Sequence, residues 1–162
     1  MTVSRTRIPR GGPLPLPVDH PSVLDVIRGL EPPRGEILAA LRSCALALPG
    51  VAERAMYDAF CREWTPAWHL GERQLCHVHN FASGLRATVF VGTRTLEPLI
   101  LESDAVPVAL RLLVAQAKGG RGTKMVKAPL DSLDDVPGFM ELVRVKWRFL
   151  SGLAAPPPPP LG

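Results

Sequence analysis

Cysteine, lysine and aromatic residues are scarce in this sequence, and long apolar runs are absent. The three cysteines, Cys44, Cys61 and Cys76, are widely spaced and form no C-x-x-C pair, a pattern typical of reduced thiols in a cytoplasm. No run approaches the ~18 apolar residues of a membrane span, and the Arg-bearing N-terminus leads into prolines instead of an apolar signal core. We therefore expect a cytoplasmic protein without a membrane segment.

Positive charge is also limited, although the pI is about 9.3. The net charge of the 162-residue chain is +4, and half of it comes from the N-terminal arm, which holds Arg5, Arg7, Arg10 and Asp19. Basic residues are mostly arginine, and alanine, glycine and proline are frequent, which is typical of a GC-rich bacterial genome. The composition by itself does not predict a nucleic-acid-binding protein.

Proline marks the limits of the folded region. Ten of the 18 prolines fall within residues 1–21 and 156–160. The sequence therefore predicts a disordered Pro/Arg-rich arm over residues 1–20, a single α+β domain over 21–152 and a polyproline tail over 153–162. A domain of this size can bury a sufficient core without a disulfide or a metal.

Hydrophobic periodicity gives the elements of that domain. Apolar residues recur at helical spacing from Arg34 to Leu48, and Pro49-Gly50 ends the helix. Ser103 or Asp104 is the expected cap of a later helix, and Phe139, Val143, Trp147 and Leu150 predict the buried stripe of the last one. Between these helices the period changes to two and predicts strands over residues 56–60, 67–70, 74–81, 85–91 and 124–128. We expect an α+β fold with an antiparallel meander sheet of about four to five strands, packed by N-terminal and C-terminal helices.

Several motifs in the middle of the chain resemble a bacterial family. They are Leu48-Pro49-Gly50, the Trp64 to Trp68 segment, the Leu75 to Phe81 segment and the Ala87 to Gly92 segment. In this order they resemble domain of unknown function 3788, which is similar to the YdhG-like and YjbR-like small α+β domains. The resemblance covers about residues 34–150 and implies a closing strand and helix. It implies no catalytic residues.

Histidine and cysteine cluster around the predicted hairpin. His77 and His79 lie two apart on a strand and therefore point to one face. A two- or four-residue turn would place His69 and Cys76 together on the opposite face, whereas a three-residue turn would bring His69 to the side of the other two histidines. A metal-handling protein that uses His69, Cys76, His77 and His79 is therefore one alternative, although the spacing matches no zinc-finger or H-E-x-x-H signature.

The aromatic residues suggest a different use of the same region. Trp68, His77, His79 and Arg86 come from neighbouring predicted strands, and Trp64 lies just before the first of these. Together they would form a pocket for a flat or anionic small molecule. We expect a non-enzymatic module that binds a small molecule or a protein through the polar face of the sheet. No cofactor, catalytic residue or resident metal is predicted.

A basic segment leaves a third class open. Residues 111–127 contain five basic and no acidic residues, and the glycine-rich Lys118 to Lys124 stretch resembles a phosphate-contacting loop. Together with the arm, the 118–127 loop would serve a nucleic-acid-associated protein. The Walker A spacing is absent, and a solvated helix end with Lys118 answering the helix dipole accounts for the same residues.

Overall fold

The computed structural model describes residues 20–153, so the arm and tail predicted at the two ends lie almost entirely outside the described residues. Five helices and six strands occupy this part of the chain. The helices are α1 (Val23–Arg28), α2 (Arg34–Leu46), α3 (Leu96–Leu101), α4 (Val108–Gln116) and α5 (Asp135–Leu150). The strands are β1 (Val51–Asp58), β2 (Glu63–Leu70), β3 (Arg73–Phe81), β4 (Gly84–Gly92), β5 (Gly119–Gly120) and β6 (Thr123–Leu130).

All the strands form one antiparallel sheet in the order β1-β2-β3-β4-β6-β5. The first four strands are the meander expected from the sequence, and the α+β class is confirmed. The sheet has one strand more than the four to five predicted. The additional strand is β5, which lies where the sequence indicated only the end of a helix. Arg121 and Gly122 both have positive φ, at 56° and 81°, as a tight two-residue hairpin turn requires, and this turn folds Gly119–Gly120 back onto β6.

The helices pack on one face of the sheet, which carries the core. Trp68, Cys76, Val89 and Val126 point into this core from four adjacent strands and are at most 1% exposed. Helix α5 lies over them with Phe139 and Val143 fully buried. Among residues 20–153, no helix combines the length and the apolar character needed to cross a bilayer.

Two strands begin well before their predicted starts, β1 at Val51 instead of Met56 and β2 at Glu63 instead of Ala67, and each has a local reason. Glu53 on β1 faces the helices and interrupts the apolar alternation, because Arg42 of α2 pairs with it at 2.7 Å. Pro66 lies within β2 although this strand is interior in the sheet, a position where proline usually argues against a strand. A partly buried ion pair and a proline inside an interior strand are thus the reasons why the sequence pattern missed most of β1 and half of β2.

The predicted helix boundaries also needed correction. Helix α4 begins at Val108, not at a cap by Ser103 or Asp104, because Pro107 keeps an extended ψ of 143° and disfavours helical geometry in the residue before it.

Trp147 of α5 is half-buried and not part of the innermost core. Its indole Nε1 donates to the carbonyl oxygen of Pro49 at 3.0 Å, which places the ring at the edge of the helix packing.

A β-bulge in β3 determines which side chains reach each face. The turn at Gly71-Glu72 has two residues, since Leu70 pairs with Arg73. His69 pairs with Gln74 but Trp68 pairs with Cys76, so Leu75 is an extra residue in β3. This insertion reverses the alternation expected for a two-residue turn, and His69 therefore lies on the side of His77 while Cys76 lies on the opposite side.

Candidate functional site

The face of the sheet that the helices leave uncovered, called here the open face, carries most of the polar side chains of the strands. Its members include Arg54, Met56, Asp58, Glu63, Thr65, His69, Gln74, His77, His79, Phe81, Arg86, Thr88, Phe90, Met125 and Lys127. Strand alternation fixes this set, with the β3 bulge accounting for Gln74. Any ligand that approaches the sheet itself therefore meets these residues first.

A pocket of about 510 Å³ opens on this face. Its apolar walls come from Met56, Phe60 and Phe90, of which Phe60 is 97% exposed at the turn between β1 and β2. Its polar groups come from Asp58, Thr65, Gln74, His77 and His79. Small-molecule sites usually have volumes of ~300–1,000 Å³ and combine apolar walls with a few convergent polar groups. The pocket has both properties.

His77 at the pocket is oriented by its neighbour on the same strand. Its Nδ1 lies 2.6 Å from Oε1 of Gln74, an amide oxygen that can only accept, so Nδ1 carries the proton. Burial, together with the charge of His79, lowers the pKa of His77 to about 4, and the ring is neutral at pH 7. Nε2 is then a hydrogen-bond acceptor, and within residues 20–153 no protein group donates to it.

His79 belongs to a second group at the same pocket. Its Nε2 lies 2.9 Å from Oδ2 of Asp58, whose other oxygen accepts the backbone N–H groups of Phe60 at 2.9 Å and Cys61 at 3.1 Å. These bonds curl the turn so that Asp58 and Cys61 lie beside His79, and one ligand-type atom of each residue lies within 4.8 Å of the other two. Asp58, Cys61 and His79 are the residues of the described chain best placed to hold a metal ion.

Electrostatics in this group favour an ionised carboxylate and a protonated thiol. The hydrogen bond from His79, and then the backbone N–H of Cys61, lower the pKa of Asp58 to about 2. Desolvation and the adjacent negative charge of Asp58 raise the pKa of the Cys61 thiol. Cys61 is therefore not an activated nucleophile in the free protein.

Buried polar atoms without hydrogen-bond partners concentrate on the open face. Within residues 20–153 there are five such side-chain atoms: Glu63 Oε1, Thr65 Oγ1, His69 Nδ1, His79 Nδ1 and Thr88 Oγ1. All five belong to the open face and none to the helix-covered core. Because a buried polar group normally has a partner, this concentration distinguishes the open face from the helix-covered core.

Not all the site residues predicted from the sequence meet at the pocket. His77 and His79 line it, and Arg86 shares their face, but the Arg86 guanidinium donates to the carbonyl of Leu85 and lies outside the pocket lining. Trp68 is in the core, where its Nε1 donates to Glu53 at 3.2 Å. Trp64 also faces the helices, with Tyr57 and His20 against its ring. The expectation that Trp64 and Trp68 lie beside His77 and His79 is wrong, because the two tryptophan side chains point to the helix-covered face of β2.

The predicted alternative metal set is not assembled either. Cys76 is fully buried on the helix side of the sheet, opposite His69, His77 and His79. His69 lines a separate hollow of about 90 Å³, where Arg54 donates to its Nε2 at 3.3 Å. The sequence analysis did not identify Asp58, Thr65, Gln74 or Phe90 as site residues. The only sequence feature that pointed to the Asp58–Cys61 turn was a cysteine, Cys61, close before β2.

Two of the five basic residues in the 111–127 segment have structural partners. Lys124 pairs with Glu97 at 2.6 Å and donates to the carbonyls of Val114 and Ala115 at the end of α4. Arg111 donates to the carbonyl of Val106. Lys127 lies on the open face, 5.9 Å from the centre of the Phe81 ring.

Comparison with known proteins adds no relative to this picture. No family model, curated protein or solved structure matches the chain. The site therefore has to be interpreted from its own chemistry.

Proposed function

We propose that this protein is a binding module for a small planar organic molecule, which occupies the pocket on the open face. The observation that carries the proposal is the pocket of about 510 Å³, in which apolar walls meet the imidazole of His77 with its acceptor Nε2. His77 and Phe90 stand with ring centres 5.8 Å apart and their planes tilted by 39°, so two aromatic rings line one side of the pocket. A planar ligand would stack there while apolar contact with Met56 adds affinity.

The polar groups favour a ligand that carries a hydrogen-bond donor. Gln74 holds the Nδ1 proton of His77, so Nε2 offers a lone pair to the incoming molecule. We therefore assign the ligand to mono- or bicyclic aromatic compounds with one N–H or O–H donor on the ring.

A fragment screen by ligand-observed NMR, run in the presence of EDTA, tests this assignment. We expect hits from this chemical class, and we expect His77→Gln to weaken their binding about tenfold, the effect of one lost hydrogen bond with its stacking contact. His69→Gln is the matched control, because it makes the same change on the same face outside the pocket. Equal weakening by both variants, or no binding to the wild type at millimolar concentration, would contradict the proposal.

The nucleic-acid alternative has weaker support. A phosphate-binding loop needs basic side chains without protein partners. Lys124 and Arg111 instead donate to backbone carbonyls of Val114 and Val106, at the two ends of α4. The 97% exposure of Phe60 favours a protein partner as the second candidate for the open face. A protein partner that covers the pocket would displace bound fragments when it is added to the same NMR assay.

Family and location are part of the proposal as well. The order of a helix, a four-stranded meander, further helices, a last strand and a closing helix supports the resemblance to domain of unknown function 3788 and to the YdhG-like domains. The three cysteines are free, which supports a cytoplasmic, reducing environment. We further propose a bacterial source from the arginine-rich composition.

A further inference from the structure

The turn between β1 and β2 brings together three side chains of types that bind zinc. Asp58 supplies a carboxylate, Cys61 a thiol and His79 an imidazole, and one donor atom of each lies within 4.8 Å of the other two. Sulfur and imidazole nitrogen together favour zinc and similar transition metals over magnesium or calcium. We propose that Asp58, Cys61 and His79 form a site for one zinc-like divalent ion.

The distance between His79 and Asp58 requires only a small adjustment. Tetrahedral zinc, with bonds of about 2.0–2.3 Å, separates its ligand atoms by about 3.3–3.6 Å. His79 Nε2 and Asp58 Oδ2 are 2.9 Å apart, so they would move apart by about 0.4 Å when the ion replaces the hydrogen bond between them. The Asp58 side chain is 31% exposed and has room for this movement.

The surroundings of the three residues resemble those of a built site. The second oxygen of Asp58 is fixed by two backbone N–H groups, which is how ligating carboxylates are commonly oriented. Nδ1 of His79 and Oε1 of Glu63 are both buried and have no protein partner. With the metal on Nε2, the imidazole proton moves to Nδ1, and Glu63, whose carboxylate interacts electrostatically with His79, is the nearby group of the right type to accept it.

A fourth ligand would come from the pocket. Asp58 and His79 line it, and the buried hydroxyl of Thr65 lies on the same lining without a partner. Three protein ligands with an open position are the arrangement in which zinc binds water or an exogenous molecule. Binding also removes the proton from the Cys61 sulfur and releases it to solvent. The metal site and the proposed organic ligand are tested separately, because the fragment screen contains EDTA and the metal titration contains no organic ligand.

Cobalt substitution tests the site directly. Full-length protein, freed of metal by chelation and kept reduced, is titrated with Co²⁺ and then with Zn²⁺ in the absence of organic ligand. We expect one equivalent of Co²⁺ to produce a thiolate-to-cobalt charge-transfer band in the near ultraviolet, and Zn²⁺ to displace it. Calorimetry in two buffers of different ionisation enthalpy is expected to show proton release on zinc binding.

Variants locate the ion. Cys61→Ala should abolish the charge-transfer band, and His79→Gln and Asp58→Asn should each weaken Co²⁺ binding by at least about tenfold. Cys44→Ala and His69→Gln are the matched controls, because they change the same residue types outside both the set and the pocket, and they should bind as the wild type does. Circular dichroism checks that each variant is folded, and Cys61→Ser provides a second test of the thiol. Absence of a saturable band in the wild type, or a band that survives in both folded Cys61 variants or is lost in Cys44→Ala, would overturn the proposal.

Discussion

Replacing Trp68 by alanine should lower the free energy of unfolding by about 3–5 kcal/mol. The ring is fully buried against the helices, so its removal leaves a large cavity in the core. It also removes the hydrogen bond to Glu53, a carboxylate that α2 holds through Arg42. A domain of this size is typically stable by only ~5–15 kcal/mol, so the loss is a large fraction of the total.

Urea unfolding followed by far-ultraviolet circular dichroism measures this loss without relying on tryptophan fluorescence. Trp68→Phe should retain much of the packing and lose less stability. Trp64→Ala is the control, because that ring is half-buried beside Tyr57 and should cost less than half as much. A Trp68→Ala protein within about 1 kcal/mol of the wild type would show that the two faces of β2 have been assigned the wrong way round.

The second large effect is an increase of stability with pH, caused by Lys146. This residue of α5 is 8% exposed and donates to the carbonyl of Phe90 at 2.7 Å. Burial lowers its pKa from 10.5 to about 8, so the unfolded chain holds the proton more tightly than the folded chain does. Stability therefore rises as pH passes through the interval from 8 to 10.5, by about 3 kcal/mol in total for this group alone.

Cys76 opposes this increase above pH 9. Burial raises the pKa of its thiol from 9.0 to about 12, so the unfolded chain loses a proton that the folded chain retains, and stability falls with pH in that range. The two effects have opposite sign above pH 9, so the rise in stability that begins near pH 8 flattens as the pH increases beyond 9.

Two variants separate these contributions in urea titrations at several pH values. Cys76→Ala should allow the rise to continue beyond pH 9, and Lys146→Met should remove the rise altogether. A wild-type profile that falls steadily from pH 7 to 9, or a Lys146→Met profile that still rises as the wild type does, would contradict the assignment of the buried ammonium.

Sequence periodicity was sufficient for the features that depend on local repeats. The alternation along β3 put His77 and His79 on one face, and helical spacing identified α2 and α5. It was insufficient where one residue changes the phase of a strand. Leu75 is inserted as a bulge, and this single residue, which no local pattern reveals, sent Cys76 to the core and His69 to the open face.

The pocket and the metal-type cluster depended on contacts between residues distant in sequence. Asp58 and His79 are 21 residues apart and meet only because β1, β2 and β3 lie side by side and the turn at Cys61 folds over them. The tryptophans were expected at the site because aromatic residues suit both cores and pockets. Composition cannot distinguish these two uses, and the register of β2 decides between them.

Placing every helix on one side of the sheet has a consequence for how this protein can evolve. Substitutions of Met56, Phe60 or Phe90, or insertions within the 59–62 turn, alter the pocket without repacking the core, because these side chains lie on the opposite surface. The stability of the helix-covered core therefore allows substitutions on the open face without loss of the fold. Changes confined to the β1–β2 hairpin and to β4 would reshape the pocket and leave the rest of the chain as it is.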